Sequence, residues 1–155
     1  MGNIRFKNGR EDRFTISKPT ETDPVLIACP KCFSKAEVVL IGEDKVRASC
    51  FECGYTKDKS SNQLSFYGYD NATDGYFGFS LWLRADCAGN SLWAFNDKHL
   101  TFLESYVSAN LRERTKDEEW GWSNSSLASR LPKWIKLSKN RDALLKALNE
   151  LKSMV

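Results

Sequence analysis

The stretch Cys29-Pro30-Lys31-Cys32 is followed by Cys50-Phe51-Glu52-Cys53, with seventeen residues between the two pairs. These two Cys-x-x-Cys pairs decide how the N-terminal part of the chain folds. At this separation four thiolates can converge on one tetrahedral Zn2+ and leave no coordination position open for a substrate. The sequence therefore predicts one structural zinc ion, with the ligands Cys29, Cys32, Cys50 and Cys53.

Other uses of paired cysteines are disfavoured by their context. The chain has five cysteines, so a disulfide framework would leave one thiol over. Residues 1–13 are mixed polar and charged, without the apolar centre of a secretory signal. A redox Cys-x-x-Cys motif lies between a strand and a helix, and no such unit precedes either pair here. We therefore expect a cytoplasmic protein with reduced thiols.

The residues around the cysteines predict short strands. Val25–Ala28 is an apolar run before the first pair, and Ala36–Ile41 and Lys45–Ser49 flank a turn at residues 42–44. Gly54 directly follows Cys53, where the backbone needs either a positive φ or N–H groups free to face the sulfurs.

Residues 24–58 resemble the zinc ribbons of transcription-factor and elongation-factor type. The resemblance implies the metal, the fold and the four cysteine ligands. Zinc ribbons serve nucleic-acid binding, protein docking and stabilisation alike, so the resemblance implies no single function.

Composition limits what the rest of the chain can be. A length of 155 residues suits one or two small domains, and 41% hydrophobic residues can build a core. No apolar run approaches the roughly 20 residues that span a bilayer. The net charge is only +3, but residues 125–155 carry seven basic and two acidic side chains. A zinc site with four thiolates carries negative charge, so the ribbon is not expected to be a basic region. The basic character of the chain therefore lies in the C-terminal segment.

The predicted fold class is α+β: an N-terminal zinc ribbon followed by a small antiparallel β-sheet packed with two or three helices. Residues 1–23 form an N-terminal arm and 24–58 the ribbon. Residues 62–155 form an α+β module, with a hairpin at 76–95 in which Tyr76–Asp86 alternates apolar and polar residues. Helices are expected at about 97–114, capped by Asn96 or Asp97, at 125–131 and at 140–153.

Three segments of this module resemble those of a group of bacterial zinc-ribbon proteins: Leu92–Asn96, Tyr106–Arg114 and Ser129–Lys136. This resemblance implies that the C-terminal sheet and helices form a specific module. It carries over no catalytic residues.

The sequence offers no catalytic constellation. His99 is the single histidine and is expected in a surface or capping role at the start of a helix. Cys87 has no surrounding Cys-His signature and is expected to be a small buried hydrophobe. Asp70, Asp74 and Asp86 are scattered among turn residues, which favour aspartate. We expect no enzymatic activity and no catalytic residue.

Two binding functions remain open. Binding of nucleic acid is favoured by a basic run that contains a tryptophan, made of Arg130, Lys133, Trp134, Lys136, Lys139 and Arg141. The alternative is a protein-docking adaptor, regulator or immunity-type inhibitor that would use the aromatic side chains of Trp120 and Trp122, beside acidic residues 117–119.

Overall fold

The computed structural model describes residues 19–62, 72–109 and 131–155, and the backbone of residues 5–8 and 111–114. The strands are β1 (Arg5–Asn8), β2 (Val25–Ala28), β3 (Lys35–Ile41), β4 (Lys45–Ser49), β5 (Thr56–Ser60), β6 (Leu83–Cys87), β7 (Asn90–Ala94) and β8 (Leu111–Arg114). The helices are α1 (Asp97–Ser108), α2 (Lys133–Lys136) and α3 (Arg141–Lys152), with a 3-10 turn at Ser138–Asn140 between the last two. The antiparallel sheets formed by β2–β5 and by β6 and β7, together with the helices, confirm the predicted α+β class.

The ribbon is an antiparallel sheet with the strand order β2-β3-β4-β5. Alternate residues of β3 and β4 are buried, and Val38 pairs directly with Ala48 across the two strands. The sequence predicted strands at β2, β3 and β4, and the period of two in β3 and β4 is that of strands with one face in a core. Strand β5 was not predicted, because an exposed edge strand composed largely of charged residues carries no apolar alternation.

Strand β2 is buried on both faces. Val25 and Ile27 lie in the ribbon core, whereas Leu26 between them lies in the core built by the hairpin and the helices. The Leu26 N–H donates to the Phe95 carbonyl at 2.8 Å, and the Leu26 carbonyl accepts from the Trp82 N–H at 3.1 Å. Strand β2 therefore connects the ribbon with the rest of the described chain.

Strands β6 and β7 form the predicted hairpin, with a tight turn at Ala88 and Gly89. Both turn residues have positive φ, 50° and 77°, as a type I′ turn requires. The returning strand starts at Asn90, directly after the turn.

The first predicted strand of this hairpin, Tyr76–Asp86, is too long, since β6 begins only at Leu83. A loop replaces its first half. The Asp74 carboxylate accepts backbone N–H groups from Tyr76, Phe77 and Phe79 at 2.7–2.9 Å. An aspartate that binds neighbouring N–H groups competes with a sheet ladder for them, which explains the difference.

Helix α1 has the predicted cap: the Asn96 side chain accepts from the His99 N–H at 2.9 Å. The prediction of a helix to residue 114 is wrong, because the chain becomes extended at Ala109. Residues 111–114 instead form β8, which pairs in parallel with β1. Leu111 continues the helical spacing of apolar residues, but this local pattern carries no information about a partner strand a hundred residues away.

Helix α3 confirms the prediction at 140–153. The short helix α2 was not predicted, and the predicted helix at 125–131 lies outside the described residues except for Leu131. The second core is formed where α1 and α3 pack against the hairpin, and its fully buried members include Leu83, Leu92, Leu100, Leu103, Leu144, Leu148 and Leu151. None of the described helices combines the length and the apolar character that a membrane crossing requires.

Candidate metal centre

The four cysteines of the two pairs converge at one end of the ribbon. Their Sγ atoms all lie within 4.8 Å of one another. The Cys29–Cys53 and Cys32–Cys50 sulfur pairs are each separated by 3.6 Å. A disulfide would need about 2.05 Å. A tetrahedron with Zn–S bonds of about 2.3 Å has S···S edges of about 3.8 Å, so the arrangement fits one tetrahedral metal ion.

The first knuckle, Cys29–Ser34, begins directly after β2. The Cys29 N–H donates to the Ser34 carbonyl at 2.8 Å, and the Phe33 N–H donates to the Cys29 carbonyl at 2.9 Å. The Lys31 N–H points at the Cys29 sulfur at 3.4 Å, which stabilises negative charge on that atom.

The second knuckle, Cys50–Tyr55, begins directly after β4 and repeats the same backbone pattern. The Cys50 N–H donates to the Tyr55 carbonyl at 2.9 Å, and the Gly54 N–H donates to the Cys50 carbonyl at 3.0 Å. Gly54 has a φ of 76°, as the sequence predicted for this position. The fold thus presents two equivalent turns, each of which supplies two sulfurs.

The electrostatics of the cluster favour a cation. The Ser34 backbone N–H and hydroxyl lower the pKa of Cys32 to about 6. The Tyr55 N–H lowers the pKa of Cys53, but burial and the three neighbouring thiols outweigh it and raise that pKa to about 12. Four thiols at this distance cannot all ionise without a positive charge between them. Ionisation of the complete set is therefore linked to metal binding.

Two aromatic side chains beside the cysteines project into solvent. Phe33 is 76% exposed and Phe51 is 82% exposed. The other exposed large hydrophobic residues of the described part are Met154 and Val155 at the chain end. Sequence reasoning missed both phenylalanines, because it treated the knuckles only as sources of ligands.

Phe33 also has an unusual backbone. It occupies the position in the first knuckle that Gly54 occupies in the second, and its φ is 65°. A bulky residue in this left-handed region costs about 1–2 kcal/mol, which glycine avoids. The signal was present in the sequence: Cys32-Phe33 stands where Cys53 is followed by glycine.

The C-terminal residues that were predicted to bind nucleic acid differ in how far they are exposed. Lys133 and Lys139 are exposed. Trp134 packs against the helical core, and Arg141 is half-buried with an Nη2 that donates to the Ala109 carbonyl at 3.4 Å. Lys136 is half-buried as well. Arg130, Trp120 and Trp122 lie outside the described residues.

His99 is not the surface residue that the sequence suggested, since only 2% of it is exposed. Its Nδ1 accepts the Phe95 N–H at 3.1 Å, so the expected capping role is confirmed in part. Burial lowers the pKa of His99 to about 3. Cys87 is buried as predicted, and burial raises the pKa of its thiol.

The chain matches no protein-family model, no curated protein and no solved structure.

Proposed function

We propose that the four cysteines bind one zinc ion with a structural role, and that the protein binds nucleic acid and does not act as an enzyme. The observation that carries the metal assignment is the convergence of four sulfurs from two equivalent knuckles. Tetrahedral sites with four thiolates select zinc or iron among common metals, and a zinc ribbon is the usual setting for the former. Four protein ligands leave the ion no free position for a substrate.

Support for nucleic acid as the ligand comes from the C-terminal segment. Lys133, Lys139 and Lys146 are exposed along α2, the 3-10 turn and α3. Exposed lysines can approach phosphates at little structural cost. The half-buried Arg141 and Trp134 are better explained as packing residues, so we restrict the proposed phosphate contacts to the exposed lysines.

The proposal is tested by the salt dependence of oligonucleotide binding to the zinc-loaded protein. Affinity should fall as salt rises, and each phosphate contact adds about 0.7 to the slope for a single strand, or about 0.9 for a duplex. Lys133→Gln and Lys139→Gln should each reduce the slope by about that amount. Lys98→Gln, which removes an exposed lysine from α1, is the matched control and should leave the slope unchanged.

A protein that binds no oligonucleotide at low salt would overturn the assignment of nucleic acid. Docking to a protein partner through Trp120 and Trp122 stays a hypothesis from the sequence. It would be favoured by a stoichiometric partner that remains bound after nuclease treatment and at high salt.

A further inference from the structure

The two exposed phenylalanines lie at the same end of the ribbon. Phe33 directly follows Cys32 and Phe51 directly follows Cys50, and the sulfurs of these two cysteines are 3.6 Å apart. Each phenylalanine is therefore the residue next to one member of this pair of neighbouring cysteines. The hydrogen-bonded turns of the two knuckles hold the backbone that carries both rings.

The position of Phe33 is not explained by packing. More than three quarters of the residue is exposed, so the ring contributes little to the core. The equivalent position of the second knuckle is glycine, which suits the positive φ that both knuckles adopt. A large aromatic side chain that is both exposed and conformationally unfavourable is typical of residues kept for binding.

The surroundings of the rings are polar and mostly basic. Lys31 and Lys35 are exposed beside Phe33, and Glu52 is the exposed acidic residue next to Phe51. A stable protein interface buries more than about 1,000 Å2 around a contiguous apolar centre, which two rings among charged residues do not offer. Separate aromatic rings next to lysines are the arrangement that binds unpaired bases and their phosphates.

From this geometry we infer that the knuckle face, defined as Lys31, Phe33, Lys35 and Phe51, binds single-stranded nucleic acid by stacking unpaired bases on the two rings. Lys31 and Lys35 contact the adjoining phosphates. The inference rests on the proposed function and specifies its ligand as single-stranded. Every base has a π-face, so this site has little preference for sequence. A duplex, whose bases are already stacked on one another, does not engage the rings.

The test compares a fluorescein-labelled oligothymidylate of about 20 nucleotides, longer than a typical single-domain site, with a duplex of the same length. Each oligonucleotide is titrated with the zinc-loaded protein of 155 residues. We expect the single strand to bind more tightly than the duplex. Phe33→Gly and Phe51→Ala should each weaken single-strand binding about fivefold or more, with the salt slope unchanged. Phe33→Trp, which retains a ring, should bind like the wild type.

Stability and metal content separate a binding role from a structural one. Phe33→Gly should retain one zinc per chain and should not lower the melting temperature, because glycine suits this backbone better. Met154→Ala removes an exposed apolar side chain elsewhere and should leave binding unchanged.

The outcomes that overturn the inference differ from those that overturn the proposed function. If the wild type binds the single strand and both phenylalanine variants bind equally well, the knuckle face is not the site, although nucleic-acid binding stands. Equal loss of duplex binding in the variants would also contradict base stacking. If the wild type binds neither oligonucleotide, the proposed function fails and the inference fails with it.

Discussion

At the residue scale, His99 joins helix α1 to the core beneath it. Its ring stacks on Phe95 with a centroid distance of 5.3 Å and meets Trp93 edge-on at 5.9 Å. Because Nδ1 accepts a backbone N–H, the neutral tautomer carries its proton on Nε2, which is buried without a hydrogen-bond partner. A second proton would place a full charge among these aromatic rings.

This burial makes stability depend on pH. The pKa of His99 falls from its ordinary value of 6.5 to about 3 on folding, so between these values only the unfolded chain takes up the proton. The contribution of His99 is complete above pH 6.5 and is lost as the pH falls through this window. The loss should amount to about 1.4 kcal/mol per pH unit.

Denaturant unfolding of the wild type and His99→Gln, both in saturating zinc, measures this effect. The difference between their unfolding free energies should change with pH at that rate, because protonation of the shared cysteines affects both proteins equally. Parallel pH profiles would show that His99 is not held neutral in the fold.

Single residues differ in how far their structural role could be predicted from the sequence. The clustering of the four cysteines was predictable, because the spacing of two Cys-x-x-Cys pairs is typical of a shared metal site. The burial of His99 was not predictable from the sequence, because it depends on aromatic residues from β7 as well as from α1. The left-handed Phe33 was recognisable only by comparing one knuckle with the other.

At the element scale, strand β2 is the element that contributes residues to both cores. Its run Val25–Ala28 alternates between two cores, which is why the sequence shows a continuous apolar stretch without polar residues. A strand buried on both faces makes the stability of one core depend on the other.

Substitutions on the two faces of β2 test this coupling. Leu26→Ala should create a cavity in the second core, formed by the hairpin and the helices, and Ile27→Ala should create one in the ribbon core. Each substitution should lower the free energy of unfolding by about 2–5 kcal/mol. Both should lower the temperature of one and the same thermal transition, followed by calorimetry. Two separate transitions, each shifted by only one of the substitutions, would contradict the coupling.

Elements were predictable where local signals determine them. The hairpin turn at Ala88-Gly89 and the leucine stripe of α3 are encoded within a few residues. The parallel pairing of β8 with β1 joins Leu111 to Arg5, and no local pattern could indicate it. The loop around Asp74 likewise depends on one carboxylate that replaces sheet hydrogen bonds.

At the scale of the whole molecule, the four-cysteine cluster lies next to β2, the strand that belongs to both cores. Cys29 and Cys50 follow β2 and β4, while the knuckles turn the chain toward the next strands. Because β2 also belongs to the second core, loss of the metal should affect more than the ribbon. Structural zinc contributes on the order of 10 kcal/mol to small zinc-dependent folds.

Removal of zinc by a strong chelator should therefore lower the melting temperature sharply and expose the ribbon amides to hydrogen exchange. Cys53→Ser should reproduce the effect without chelator. Cys87→Ser, which changes a buried cysteine outside the cluster, should retain the metal and cost far less stability. A protein whose melting temperature is unchanged by the chelator would show that the ion is dispensable for folding.

The most direct test of the four-cysteine centre is the metal content of the purified protein, measured by elemental analysis together with native mass spectrometry. We predict one zinc ion per wild-type chain and its loss in Cys50→Ser. Full retention of zinc in Cys50→Ser, or a wild-type protein that folds without any bound metal, would contradict the assignment.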